Sequence, residues 1–172
     1  MGTKQSPQDA RSILPAGIKW CVYDFDGVMT DDRVIVIQTG EEAVICSRAD
    51  GLAVGLIRQL GIEQFILTTE GNPVVKRRAA KLGLPCVGGL DDKAAGLQQI
   101  ADRQGMDLRR TLYVGNDVND IEAMLLCGLK ICPADAHPSV REIADMVTAA
   151  RGGEGVIREL YDVLQGAAVV GR

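Results

Sequence analysis

Ile18-Lys19-Trp20-Cys21-Val22-Tyr23-Asp24-Phe25-Asp26-Gly27-Val28-Met29-Thr30-Asp31 is the stretch that decides how this chain reads. Ile18 to Tyr23 is an apolar run interrupted only by Lys19, short enough for a strand and ended by acidic residues. That pattern predicts a strand buried on both faces. Asp24 and Asp26 follow at once. Two such carboxylates repel, and each resists ionising unless a cation stands between them. Magnesium suits the place, because it takes oxygen ligands and keeps several waters. Gly27 lets the backbone turn sharply so that its amides face the site. Acids two residues apart also open ordinary solvated loops, so the rest of the chain has to decide.

Outward from this segment, short apolar runs alternate with helical patterns. Val34 to Ile37 and Ala43 to Cys46 flank a Thr39-Gly40 turn and predict a hairpin. Helical spacing runs from Leu52 to Leu60 and stops at Gly61. Strands are predicted over Phe65–Thr68, near Cys86, and over Thr111–Val114, Leu129–Cys132 and Met146–Thr148. Helices are predicted over Pro73–Leu82, Lys93–Gln104, Asp120–Leu126, Val140–Ala144 and Val156–Leu164. Strands alternating with helices pair in parallel through right-handed crossovers. The expected fold is a doubly wound, Rossmann-like α/β sheet with helices on both faces and one small β-hairpin insertion. Residues 1–17 read as a flexible tail and 18–165 as a single domain, with the hairpin at about 33–47. Residues 166–172 read as a second tail.

The 172 residues carry a net charge of −4, with 47% hydrophobic and 24% charged residues. With no long basic run, neither nucleic acid nor an acidic membrane is an expected partner. No apolar run approaches a membrane span and no signal pattern opens the sequence, so a cytoplasmic location is expected. Five cysteines without a CxxC pair read as free thiols in a reducing compartment. His137 is the only histidine, which removes Ser-His-Asp and Cys-His catalysis and most zinc sites.

Ligands of doubly wound sheets bind at the carboxyl ends of the strands. Thr68-Thr69-Glu70-Gly71-Asn72-Pro73 joins a strand end to a helix start, a setting for an oxyanion or simply for a helix cap. Lys93 stands in a first helical turn, against the helix dipole, and suits an anionic partner. Gly115-Asn116-Asp117-Val118-Asn119-Asp120 puts four oxygen-bearing side chains after another strand. Each signal is common alone. In this order, at strand ends that the fold gathers into one crevice, they point jointly to phosphate and cation chemistry.

The four segments resemble the motifs of the haloacid dehalogenase superfamily of phosphatases. The resemblance extends through Ala49-Asp50-Gly51 and VVKRRAAKLGL to Arg151-Gly152-Gly153-Glu154-Gly155. It is similar to the branch holding 3-deoxy-octulosonate 8-phosphate and nonulosonate 9-phosphate phosphatases, and to the C-terminal domain of acylneuraminate cytidylyltransferases. The resemblance implies Asp24 as nucleophile and Asp26 as general acid and base. It implies Thr68, Lys93 and Gly27 at the phosphate and Mg2+ held by Asp24, Asp26 and either Asn116 or Asp117, with Asp120 in support. Family members commonly carry Asp after the last-motif glycine, where this chain has Asn116. Thr69-Glu70 with Lys81 resembles the nonulosonate type and leans toward a nine-carbon sugar-acid phosphate. Glu70, Arg78, Lys81 and Arg151 are the implied substrate contacts, with Arg48 and Arg77 left open between ligand and solvent. The branch has no separate cap domain. It forms homotetramers in which a neighbouring subunit covers each active site. The rival expectation is a non-catalytic regulatory or oligomerisation domain.

Overall fold

The computed structural model describes residues 17–170, so most of the expected N-terminal tail and the last two residues lie outside the described part. Six parallel strands form one sheet in the order β5-β4-β1-β6-β7-β8. These are β1 (Trp20–Tyr23), β4 (Glu63–Leu67), β5 (Cys86–Val87), β6 (Thr111–Val114), β7 (Leu129–Cys132) and β8 (Met146–Val147). β1 lies in the middle, with Tyr23 beside Ile66 of β4 on one side and Val114 of β6 on the other. The Asp24 amide continues the ladder by donating to the Val114 carbonyl (2.9 Å), which fixes the first acid at the strand's carboxyl end.

Side chains of the strands alternate between two cores. Cys21, Tyr23, Leu112 and Val114 pack on one face under α1 (Arg48–Gln59), α2 (Pro73–Leu82) and α6 (Val156–Val170). Val22 and Tyr113 face the other side, under α3 (Lys93–Gln104), α4 (Ile121–Leu126) and α5 (Pro138–Ile143). The doubly wound arrangement is therefore as the sequence predicts. Between β1 and α1 the chain inserts only the hairpin β2 (Ile35–Val36) and β3 (Glu42–Ala43). It is shorter than expected because Cys46 leaves it for an isolated antiparallel bridge to Thr30.

Helix boundaries differ from the sequence reading by a residue or two at α4 (Ile121–Leu126) and α5 (Pro138–Ile143) and by more at α1 and α6. α1 starts four residues early, because the Ser47 side chain caps it by accepting from the Asp50 N–H (3.2 Å). α6 starts at Val156 and runs past the expected boundary at 165, as far as Val170. Asp50 reaches its first turn from α1, with Oδ1 accepting from the Arg158 N–H at 2.9 Å. Of the five free thiols, Cys21, Cys127 and Cys132 are buried, and burial pushes each up to about 12. Cys46 and Cys86 are only partly covered. Among the described residues, no helix is long and apolar enough to cross a membrane.

Candidate active site

The strand ends open on a cleft of about 90 Å³ lined by Asp24, Asp26, Asp32, Thr68, Asn116 and Asp117. Asp24 forms its floor. Its Oδ1 accepts from the Phe25 N–H (2.8 Å) and lies 2.8 Å from Lys93 Nζ. The first residue of α3 thus arrives from a different strand end, almost fully buried at 2% exposure. The same ammonium lies 2.8 Å from Asp120 Oδ1. Burial works against the charge on Lys93, yet Asp24 and Asp120 together hold its pKa above the usual lysine value.

Asp120 is fully buried and completely satisfied. Oδ1 also accepts from the Tyr113 hydroxyl (2.8 Å), and Oδ2 accepts from the amides of Asn116 (3.0 Å) and Asp117 (3.3 Å). It therefore shapes the last loop and positions Lys93. Two acids sharing one buried cation leave one negative charge without a counterpart. Burial and the Asp120 carboxylate accordingly push Asp24 up to about 8 despite Lys93. The site lacks one positive charge.

The free side of Asp24 shows where that charge fits. The Asn116 carboxamide reaches to 3.1 Å from Asp24 Oδ2 and 2.9 Å from the Asp26 carbonyl oxygen, and its nitrogen turned that way donates to both. Ligands of Mg2+ at about 2.0–2.1 Å in an octahedron are separated by about 2.9 Å. Among the described residues, no three His, Cys, Asp or Glu side chains gather as a metal cluster. The donors here are one carboxylate, one amide and one backbone carbonyl, and they fit a hard divalent cation. Asp117 instead turns its carboxylate onto the Val118 N–H (2.6 Å), capping the short turn Val118–Asp120.

Asp26 is half-buried beside the floor. Burial, Glu70 and Asp32 all raise its pKa, which favours a protonated carboxyl able to donate. Thr68 is buried, and its hydroxyl accepts from the Glu70 N–H (3.0 Å), leaving its own proton to donate into the cleft. Gly27 differs from expectation. Its N–H points to Thr30 Oγ1 (3.2 Å) rather than to the cleft. What the position requires is φ +76° and no Cβ, since an ideal Cβ there falls 1.9 Å from the Asn116 amide.

The expected substrate contacts scatter. Glu70 is exposed beside the cleft, near enough for its charge to act on Asp26, with Oε1 accepting from the Asn72 N–H (2.7 Å). Lys81 is exposed in the last turn of α2, at the helix end opposite Asn72, so it does not meet Glu70 within one chain. Arg78 donates to the Ser47 carbonyl (2.8 Å) and joins α2 to the start of α1. Arg151 is exposed beside Asp135 (3.4 Å). Arg48 is exposed, and Arg77 lines a separate groove between the hairpin and α2.

Two contributors, Thr30 and Asp32, escaped sequence reasoning, while Gly152 and Gly153 stand in the Arg151–Gly155 segment that the resemblance includes. Thr30 is buried, accepts from the Gly27 and Asp32 amides (3.2 Å each) and donates to Asp26 Oδ1 (3.4 Å). Asp32 lines the cleft with φ +62°, an uncommon angle for a residue with a side chain. Gly152 and Gly153 press on the Gly27–Asp31 loop from below. The signal for Thr30 was its place inside the first motif, and that for Gly152-Gly153 was the doublet itself.

A family model described as haloacid dehalogenase-like hydrolase matches residues 89–160. The chain is 30% identical to the 3-deoxy-D-manno-octulosonate 8-phosphate phosphatase KdsC of Haemophilus influenzae over 86% of this chain and 82% of that one. It is 31% identical to the KdsC of Escherichia coli K12 over 95% and 88%. Among solved structures, a HAD family hydrolase from Streptomyces avermitilis matches with a TM-score of 0.86 and 44% identity, covering 91% of each chain. The Moraxella catarrhalis 3-deoxy-D-manno-octulosonate 8-phosphate phosphatase, in complex with magnesium ion, phosphate ion and KDO, matches at 0.85 and 29% identity over 96% and 95%. With this architecture and these relatives, the chain belongs to the haloacid dehalogenase-like hydrolases, among the relatives of KdsC, and is a phosphatase.

Proposed function

We propose that the protein is a magnesium-dependent phosphomonoesterase that removes the terminal phosphate of a 2-keto-3-deoxy sugar acid through an aspartyl-phosphate. The observation that carries this reading is the Asp24 carboxylate, with one oxygen on Lys93 and the other beside Asn116 and the Asp26 carbonyl. Asp24, the Asp26 carbonyl and Asn116 would hold the ion. Bound there, Mg2+ supplies the missing positive charge and polarises the phosphoryl group. It also draws Asp24 back toward its ionised form.

Asp24 attacks phosphorus while Asp26 gives its proton to the departing sugar oxygen. Lys93 and the Thr68 hydroxyl hold the phosphoryl oxygens in line and offset their charge. Asp26, now ionised, takes a proton from the water that attacks the same phosphorus. The Asp24–phosphorus bond breaks and inorganic phosphate leaves. The raised pKa of Asp26 suits a group that must begin this cycle protonated.

On the substrate, the KdsC relatives support the eight-carbon 3-deoxy-octulosonate 8-phosphate. The nine-carbon alternative rests on Glu70 acting with Lys81, and within one chain these stand at opposite ends of α2, Glu70 before its N-cap Asn72 and Lys81 in its last turn. We also read the hairpin as an assembly surface of a homotetramer, since Ile35 (54%) and Val36 (65%) stand out apolar and exposed. A neighbouring subunit would then cover the cleft. A cytoplasmic setting suits five unpaired thiols. Phosphate release from eight- and nine-carbon keto-acid phosphates, with magnesium or chelator, tests the reading. Native protein should turn over the eight-carbon ester only with the ion, and Asp24→Asn should release none. Turnover in chelator, or by Asp24→Asn, would refute it.

A further inference from the structure

Tyr113 lies on β6 and is fully buried in the core shared with Val22, Leu97 and Met124. Phenylalanine would fill that space without carrying a hydroxyl into an apolar interior, where one is costly unless bonded. This hydroxyl is bonded to the active site. It donates to Asp120 Oδ1 at 2.8 Å. The same oxygen takes Lys93 Nζ at 2.8 Å, and that ammonium also reaches Asp24 Oδ1 at 2.8 Å. Burial and the Asp120 carboxylate push the phenol well above the ordinary tyrosine range, so it keeps the proton that it donates.

A carboxylate offers about four acceptor positions. Asp120 fills its own with the amides of Asn116 and Asp117 on Oδ2 and with the phenol and the ammonium on Oδ1. Asp24 has the Phe25 amide and Lys93 on Oδ1, and its Oδ2 faces Asn116. One ammonium thus lies equally close to two buried acids that compete for it. How well other donors serve each acid sets the balance. Without the phenol, Asp120 Oδ1 has the ammonium alone and draws it away from Asp24 and the cleft. We propose that Tyr113 is a positioning residue for phosphoryl transfer: by donating to Asp120 it weakens that acid's pull on Lys93 and leaves the ammonium beside the nucleophile. The proposal rests on the roles given to Asp24 and Lys93 above.

The test compares native protein with Tyr113→Phe on the eight-carbon keto-acid phosphate in saturating MgCl2. In Tyr113→Phe, kcat should fall about tenfold with KM held within about twofold, because a displaced cation matters most where charge develops. In an Asp120→Asn background, where the competing charge is gone, the same substitution should cost less than about twofold. The Lys93 ammonium, followed by 15N NMR as the signal absent from Lys93→Met, should shift in Tyr113→Phe without substrate. Should Tyr113→Phe not fold, native protein carrying 3-fluorotyrosine decides. The 19F signal that neither Tyr23→Phe nor Tyr161→Phe removes should move when orthovanadate and MgCl2 load the cleft. Unchanged kcat, equal cost in both backgrounds, or an ammonium or 19F signal that stays put would each overturn the proposal and leave the phosphatase reading intact. No phosphate release by the native protein would sink the roles of Asp24 and Lys93, and the proposal with them.

Discussion

Replacing Lys93 with methionine keeps the length of the side chain and deletes the one cation between two buried carboxylates. Lys93 Nζ is 2.8 Å from both Asp24 and Asp120, and all three side chains are nearly sealed from water. Removing one partner of a buried pair typically destabilises by about 3–5 kcal/mol. Asp120 keeps three other donors, so of the two acids Asp24 is the one that carries a proton. In the native protein without metal it sits at about 8, above its unfolded value of 3.8. Its contribution is thus fully present below 3.8 and is lost as pH climbs toward 8, in native and variant alike. Lys93→Met raises the folded value further. Below about pH 8 the deficit against native therefore stays level at about 4 kcal/mol. Above it, native Asp24 ionises beside the ammonium while the variant keeps its proton, and the deficit widens by about 1.36 kcal/mol per pH unit. Urea unfolding in chelator at about pH 6 and about pH 9 measures it. A slope near 2 kcal/mol/M makes the deficit in mild acid a midpoint shift of roughly 2 M, larger again in alkali. A deficit that was equal at both pH values, or larger in acid, would refute the charge argument.

Three further outcomes are expected. Gly152→Ala puts a Cβ 2.2 Å from the Gly27 carbonyl oxygen. The catalytic loop must shift, lowering kcat by at least about tenfold and stability by about 1–3 kcal/mol, which steady-state kinetics and thermal unfolding check. Thr30→Val removes the hydroxyl on Asp26, so release from an alkyl phosphate should fall far more than release from an activated aryl phosphate, and Thr30→Ser should restore it. Asp50→Ala uncaps α6 at about 1–2 kcal/mol, seen as a lower melting temperature with kcat unchanged at 25 °C.

The layers of this fold were legible because β1, β4, β6 and β7 each carry a short, mostly apolar run and α1, α2 and α3 stop beside glycines. Pro73–Leu82 and Lys93–Gln104 come out as read, between an N-terminal proline or aspartate cap and left-handed Gly83 and Gly105. The α1 start was missed because Ser47 caps it over a segment containing Asp50 and Gly51, poor helix formers that tertiary contacts overrule. The site was legible wherever a side chain follows its strand end directly, as Asp24, Thr68 and Asn116 do. Lys81 and Arg78 do not come to the cleft of their own chain, and sequence spacing along α2 could not say which end faces it. Thr30 was missed because its buried hydroxyl serves its own loop, bonding Gly27, Asp32 and Asp26, and how Gly152 and Gly153 meet that loop is a contact between distant segments that local pattern cannot reveal.

Segments more than a hundred residues apart in sequence meet beneath the catalytic loop. α6 takes its cap from Asp50, returns Glu159 to the amides of Ala149 and Ala150 (2.9 Å each), and follows the glycine doublet that props Gly27 and Thr30. Asp24 and Asp26 are made more than a hundred residues before the platform under them. During synthesis the nascent polypeptide therefore carries its reactive acids through that interval without the support that aligns them. Competence to hydrolyse esters should switch on only once residues beyond 150 clear the ribosome and dock.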